Sequence, residues 1–202
     1  MIDPASEIEN KLHTHNIYYN NVINRRQSEL GIIQDIYDVS KYKRFVESLP
    51  EETRNAYATL TFNTDGAPVI NSSNYSIWPI YLMINELPIK NRFEELITCG
   101  VWFGKSKPDM NVFMGPFVKI INKLSNAGIK GTINGTERLI KLFPLCCCVD
   151  TIARAPLQGV KQFNGHYGCN WCLHYGRSYA KSMRYSVIEE PNPIPRNNEM
   201  HI

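Results

Sequence analysis

Four side chains in this sequence have the type and placement for metal chemistry. Asp65 closes the run Thr59-Leu60-Thr61-Phe62-Asn63-Thr64, and Asp150 closes Leu142-Phe143-Pro144-Leu145-Cys146-Cys147-Cys148-Val149. Both runs read as β-strands, so each carboxylate stands at a strand end. If the strands lie side by side and point the same way, the two carboxylates meet at one sheet edge. Paired carboxylates repel, and Mg²⁺ or Mn²⁺ relieves that repulsion while leaving coordination positions for water and phosphate oxygens. In a two-metal site one ion activates the attacking water or hydroxyl and the other stabilises the leaving oxygen of a phosphodiester.

Further along, Cys169-Asn170-Trp171-Cys172 has the spacing of a zinc half-site, in which two thiolates on a tight turn face one ion at about 2.3 Å. His166 and His174 flank the pair as candidate partners, and the site is incomplete without two further ligands. A zinc deaminase also uses Cys-x-x-Cys, but here Gly168 precedes Cys169 and His166 is followed by Tyr167 and Gly168 rather than by a His-x-Glu element. Thioredoxin-like redox chemistry lacks the strand that should precede such a pair. Cys146, Cys147 and Cys148 sit in an apolar strand, where alternating side chains cannot all face one metal, and they read as small core residues.

Each of these residues also has a plainer reading. Asp65-Gly66 after alternating residues is a common hairpin signal, and Asp150 can cap a helix over Thr151–Ala155. The cysteine pair can be two free thiols. Lys105 and Lys107, close to Trp102 and Phe103, make a basic and aromatic loop suited to DNA, and Arg154 follows Asp150 closely enough to contact phosphate. Solvated surface charge is the competing account of each lysine, while Arg154 is set apart by its place after Asp150.

The elements that position these residues follow from hydrophobic pattern. Residues 1–37 are polar, with scattered Ile8, Leu12, Ile17, Ile23, Leu30 and Ile33. Asp38 or Ser40 is expected to cap a helix carrying Tyr42, Phe45, Val46 and Leu49 and ending at Pro50. Leu60 and Phe62 alternate with Thr61 and Asn63 up to a turn at Asp65-Gly66, and Tyr75–Asn85 and Leu96–Phe103 supply two more strands. Asp109 opens a helix whose Val112, Phe113, Phe117, Ile120, Ile121 and Leu124 form one stripe. Gly128 stops that helix, and Pro116 is placed to kink or split it near its start. Gly131–Thr136 reads as a turn, and Leu139–Val149 as a strand buried on both faces. Three strands, a helix and a returning strand make a ribonuclease-H-like α/β fold: a three-strand meander, then a right-handed crossover to a parallel central strand beside the first. That order alone brings Asp65 and Asp150 to the same edge.

The bulk numbers are compatible with this. With 202 residues, 43% hydrophobic and 20% charged, the chain can bury one substantial core. The net charge of +3 decides nothing about partners. No apolar run reaches membrane-spanning length and no secretory leader opens the sequence, which predicts an intracellular protein with no membrane partner. The domains expected are 1–57 as an arm with a short helix, 58–160 as the core fragment, 161–185 as the cysteine module and 186–202 as a Pro/Asn-rich tail.

Taken together, Thr64-Asp65-Gly66, Ser73-Asn74-Tyr75-Ser76-Ile77-Trp78-Pro79-Ile80, Asn85-Glu86-Leu87-Pro88, Gly104-Lys105-Ser106-Lys107-Pro108-Asp109-Met110, Val149-Asp150 and Gly168-Cys169-Asn170-Trp171-Cys172 resemble CACTA-type (En/Spm) DNA transposases, in particular their animal branch, over residues 58–185. The resemblance implies a nuclear, metal-dependent enzyme that cuts DNA at element ends and joins the 3′ hydroxyl to target DNA, self-associating as it does so. Asp65 and Asp150 match its first two acidic positions, and Cys169 and Cys172 its cysteine pair. The third acidic residue, a glutamate on a later helix, has no counterpart, since Glu189, Glu190 and Glu199 fall in the Pro/Asn-rich tail. The expectation is therefore a C-terminally truncated catalytic fragment, inactive alone, with Mg²⁺ or Mn²⁺ at the acidic pair and Zn²⁺ at the cysteines. A non-catalytic, zinc-stabilised module that binds DNA or protein is the alternative.

Overall fold

The computed structural model describes residues 1–15, 31–69, 74–187 and 192–197, in two units, Met1–Cys148 and Val149–Ile202. Ile17, Ile23, Leu30, Ser73, Glu189, Glu190 and Glu199 lie outside the described residues. In the first unit Ile8 and Leu12, one helical turn apart, share a face of α1 (Ala5–Thr14), and both are fully buried. Part of the expected N-terminal arm is thus a helix seated in the core.

A 3₁₀ turn at Ile36–Asp38 leads into α2 (Ser40–Ser48) and the single turn α3 (Glu51–Arg54). Asp38 does not cap α2. Its carboxylate accepts from the backbone N–H groups of Gln34 and Asp35, closing a capping box around the 3₁₀ turn.

The first half of the sheet has the three strands expected, but β1 is buried on successive residues from Tyr57 to Thr61, on both faces, and not as a half-buried strand. Strand β1 (Tyr57–Thr64) and the short β2 (Ala67–Pro68) both pair with β3 (Ser76–Ile84). After the helix α4 (Ile89–Glu94), β4 (Ile97–Gly104) lies antiparallel to β3. Helix α5 (Met110–Ala127) begins where Asp109 accepts from the N–H groups of Asn111 and Val112, and stops at Gly128, whose φ of +73° suits glycine. Pro116 does not split it: α5 runs through without a break.

The second half departs from expectation. Ile129–Ile133, read as part of a turn, is strand β5, and it pairs antiparallel with β6 (Thr136–Cys147) across a two-residue turn at Asn134-Gly135. Both turn residues have positive φ, as a type I′ turn requires. The glycine that suggested a loop, Gly131, is a strand residue. A Cβ there would lie 2.6 Å from Ile140 Cδ1 and 3.0 Å from Leu12 Cβ, so the missing side chain lets α1 approach β5 closely.

Strand β6 then runs parallel to β1, giving the order β4-β3-β1-β6-β5 in a mixed sheet with β2 prolonging β1. Helix α5 covers one face, with Phe117 against Phe62 and Phe113 against Trp102. On β1's other face the buried Tyr57 packs with Tyr42 and Leu49, flanked by Phe45, Val46 and Phe143. Within β6 only Ile140 and Leu142 are buried, and Cys147 and Cys148 are exposed. The apolar composition of Leu139–Val149 does not make it a strand buried on both faces, and at least two of its cysteines are not core residues.

The second unit holds α6 (Thr151–Gln158) and a two-stranded ribbon of β7 (Arg177–Tyr179) and β8 (Ser182–Arg184). Among the described residues no helix is long and apolar enough to cross a membrane.

Candidate functional site

Asp65 is half-buried and Asp65-Gly66 does not reverse the chain. Thr64 faces Ile80 and Ala67 faces Ile77, so the register against β3 is the same on both sides of the dipeptide. The hairpin reading is overturned. Gly66 has another purpose: a Cβ there would stand 2.2 Å from the indole of the buried Trp78, so only glycine lets that ring lie across β1. Beside it, Asp65 Oδ1 accepts from the Gly66 N–H at 2.7 Å, and among the described residues no second group bonds this carboxylate. Thr64 Oγ1 and the indole nitrogens of Trp78 and Trp102 are buried without a hydrogen-bond partner among the described residues.

Pro144 shapes the end of β6. It has no N–H to give the ladder, and the register slips by one residue there: Leu60 faces Pro144, but Thr61 faces Cys146. Beyond the bulge Phe62 faces Cys147, the Cys148 N–H donates to Phe62 O, and Asn63 Nδ2 donates to Cys148 O. Along the sequence, Asp65 is three residues past Phe62 and Asp150 is three past Cys147. Asp150 belongs to the second unit, is exposed, and caps α6: its Oδ1 accepts from the Ala153 N–H at 2.6 Å. The capping reading therefore holds for this residue, and it occupies one oxygen of the carboxylate.

The interior of the first unit contains a polar network that composition and periodicity do not reveal. Glu86 is buried, and its carboxylate accepts from Thr59 N–H, Thr59 Oγ1 and Tyr42 OH at 2.6, 2.6 and 3.0 Å. One oxygen thus takes the place of a strand carbonyl just where β3 has ended, since the Asn85 N–H makes the last backbone bond to Thr59 O. Asn85 Nδ2 donates to Thr59 Oγ1, while Thr61 Oγ1 donates to Asn85 Oδ1 and lies 3.1 Å from Cys146 Sγ. Burial drives the Glu86 pKa up to about 7 despite these donors. The only hint in the sequence is a charged residue set directly between an apolar strand and Leu87-Pro88.

The cations are distributed between the units. Lys105 Nζ sits 5.2 Å from the centre of the Tyr75 ring, which stacks on Phe103 at 5.1 Å, so the expected basic and aromatic loop is present on the first unit. Lys107 is exposed beside it in sequence. Arg154, on α6, donates to Val149 O and lies 6.0 Å from the ring of Trp171.

Cys169 and Cys172 have their sulfur atoms 3.5 Å apart. Two thiolates at 2.3 Å from one tetrahedral ion stand about 3.8 Å apart, so the pair fits half of a zinc site. Cys169 is the more acidic thiol: burial works against the thiolate, but N–H groups of Trp171 and Cys172 and the Cys172 thiol favour it. The Cys172 thiol is raised, first by burial and then by its neighbour. Among the described residues no three His, Cys, Asp or Glu side chains cluster as a metal site, so His166 and His174 do not complete one. His166 instead bonds Gly176 O through Nδ1 and stacks on Tyr175. Arg196 ties the 192–197 segment back, donating to the carbonyls of Cys169 and Tyr167.

No protein-family model matches the chain, and no curated protein matches it.

Proposed function

We propose that this chain carries the ribonuclease-H-like catalytic fold of a CACTA-type DNA transposase, with Asp65 and Asp150 as the first two acidic residues of a divalent-metal site. The supporting observation is the parallel pairing of β1 with β6, in which Phe62 faces Cys147 and each aspartate follows in sequence by three residues. The three-strand meander, the crossover helix and the parallel return give the order that this fold uses, with β5 inserted ahead of the returning strand. Each aspartate bonds a backbone N–H through one oxygen, leaving the other for a hard cation. A bound Mg²⁺ or Mn²⁺ would supply activation of the attacking oxygen and charge stabilisation on the leaving one. The chain's own part is to supply the two carboxylates, while Lys105 and Lys107 bind phosphate beside a stacked aromatic pair. DNA is the substrate in this reading, the nucleus the compartment, and self-association accompanies work on element ends.

A second reading is favoured by the cap on α6. If Asp150 serves only that cap, the protein is a non-catalytic nucleic-acid-binding module derived from such an enzyme and steadied by zinc at Cys169 and Cys172.

Asp150 separates the two. Asn caps a helix as well as Asp but carries no charge, whereas Ala loses the cap at about 1 kcal/mol. On the transposase reading Asp65→Asn and Asp150→Asn each abolish Fe²⁺-directed backbone cleavage near residue 65, at unchanged melting temperature. Retention of that cleavage in Asp150→Asn, with loss of stability only in Asp150→Ala, would leave the binding module standing.

A further inference from the structure

The β7–β8 ribbon has a charge arrangement that its own folding does not favour. Arg177 and Arg184 are directly opposite each other across the two strands. Like charges in that position oppose pairing. Neither guanidinium has an ion pair among the described residues. The sequence from Thr151 to Ile188 carries Arg154, Lys161, Arg177, Lys181 and Arg184 and no Asp or Glu, with Asp150 before it and Glu189-Glu190 after it.

The alternation of side chains fixes which face is which. Ser178 and Met183 share one face, and Met183 lies over Gly176, where a Cβ would stand 2.8 Å from its sulfur. Arg177, Arg184 and Tyr179 therefore share the other face. Tyr179 pairs only with Ser182, too small to cover a ring, and is 74% exposed. The turn between the strands, Ala180-Lys181, has positive φ at both positions, so Lys181 is carried at the tip of the same ribbon. The same unit repeats the combination at Trp171, 76% exposed with the Arg154 guanidinium 6.0 Å from its ring.

We propose that the Arg177/Arg184 face of the ribbon binds single-stranded nucleic acid, the arginine pair clamping backbone phosphate and Tyr179 stacking on an unpaired base. Phosphate removes the repulsion that the two guanidinium groups impose on each other, which gives the pair a reason to exist. The exposed ring selects against duplex, whose bases already stack on one another. No metal takes part, so this surface goes beyond the acidic pair and stands whether or not that pair is catalytic.

The test is fluorescence anisotropy of labelled oligothymidylate with the full chain, at low salt and with no added divalent metal. Tyr179→Ala should weaken binding by roughly tenfold while Tyr179→Phe leaves it within about twofold, because the ring face and not the hydroxyl does the stacking. Arg177→Gln with Arg184→Gln should reduce the slope of log affinity against log salt by about 1.4, from two lost phosphate contacts at roughly 0.7 each. That double variant relieves repulsion, so hydrogen exchange across Arg177–Arg184 should be no faster than in the parent, which separates lost binding from a lost ribbon. Unchanged affinity in both sets of variants would overturn the proposal. So would binding to the matching duplex, or to phosphatidylserine vesicles, as tightly as to the single strand. Failure of the Fe²⁺-cleavage experiments on Asp65 and Asp150 leaves this result untouched.

Discussion

The two units are held together by different physics. In Met1–Cys148 a mixed sheet buries aliphatic side chains from successive strands, among them Leu60, Ile80, Leu82, Ile97, Ile140 and Leu142. In Val149–Ile202 the buried hydrophobic side chains are only Ala153 and Ala155 among the described residues. There, single side chains bond several backbone groups at once. Tyr185 OH donates to Gly165 O and accepts from the Gly168 N–H, and Gly168 has no room for a Cβ against Gln162 O. A stretch that cannot build a core depends on such fixed points, or on a metal.

Arg92 offers the largest way to break that contrast, because it is a polar fixed point inside the apolar unit. It is 7% exposed, bonds Leu87 O and Tyr37 OH, and forks onto both oxygens of Asp35. Arg92→Ala should cost on the order of 3 kcal/mol in chemical denaturation, since it leaves a half-buried carboxylate without its partner. A loss below about 1 kcal/mol would show that the first unit needs no polar fastening.

In the second unit Tyr185→Phe should cost about 1–2 kcal/mol locally. Hydrogen exchange should quicken at Gly168 and across Gly165–Gly176, with β1 and β6 unaffected. Equal acceleration in β1 would mean that the units do not open separately. Cys169→Ser should act in the same region: if the pair holds zinc, metal analysis shows its loss and the melting of this unit falls.

The pH dependence isolates Glu86. Its folded pKa of about 7 lies above the usual 4.5, so the folded state holds the proton more tightly. The stability this contributes is complete below pH 4.5 and is lost as pH rises through 7, on the order of 3 kcal/mol in all. Glu95 acts in the opposite sense. Burial would raise its pKa, but hydrogen bonds from Asn91, His15 and Lys11 bring it down to about 2, so its contribution is present above pH 4.5 and lost as pH falls through 2. Glu86→Gln should flatten the stability profile between pH 4.5 and 7 and leave the acid limb unchanged. A profile as steep as the parent's would assign the titration elsewhere.

The smallest expected effect compares the two hairpins. Asn134-Gly135 and Ala180-Lys181 both adopt positive φ, but only the first has residues that favour it. Ala180→Asn should stabilise β7–β8 by a few tenths of a kcal/mol, read as slower exchange at Met183. Acceleration there would mean that the turn is not what limits the ribbon.

Much of the first unit could be read from sequence for the same reason that it is stable. The stripe from Phe113 to Leu124 records burial directly, and Asp109 and Gly128 mark the ends of α5 by local chemistry. The alternation in Thr59–Asn63, by contrast, marks a strand but not its burial, which runs unbroken from Tyr57 to Thr61. Strand β5 escaped because Gly131 is shaped by contacts with Leu12 and Ile140, far away in the chain. The ribbon of the second unit escaped because its strands are three residues long and its turn lacks Asn-Gly.

The sequence by itself determined which residues could serve: two aspartates closing strands, a cysteine pair at chelating spacing, and cations beside aromatic rings. Tertiary structure alone decided how they are used. The sheet register slips by one residue at Pro144, and β6 ends at Cys147, three residues before Asp150. Trp78 explains Gly66, and helix α6 claims one oxygen of Asp150. Local patterns report burial and backbone preference, whereas pairing, register and the burial of Glu86 come from residues distant in the chain, whose choice of partner no local window contains.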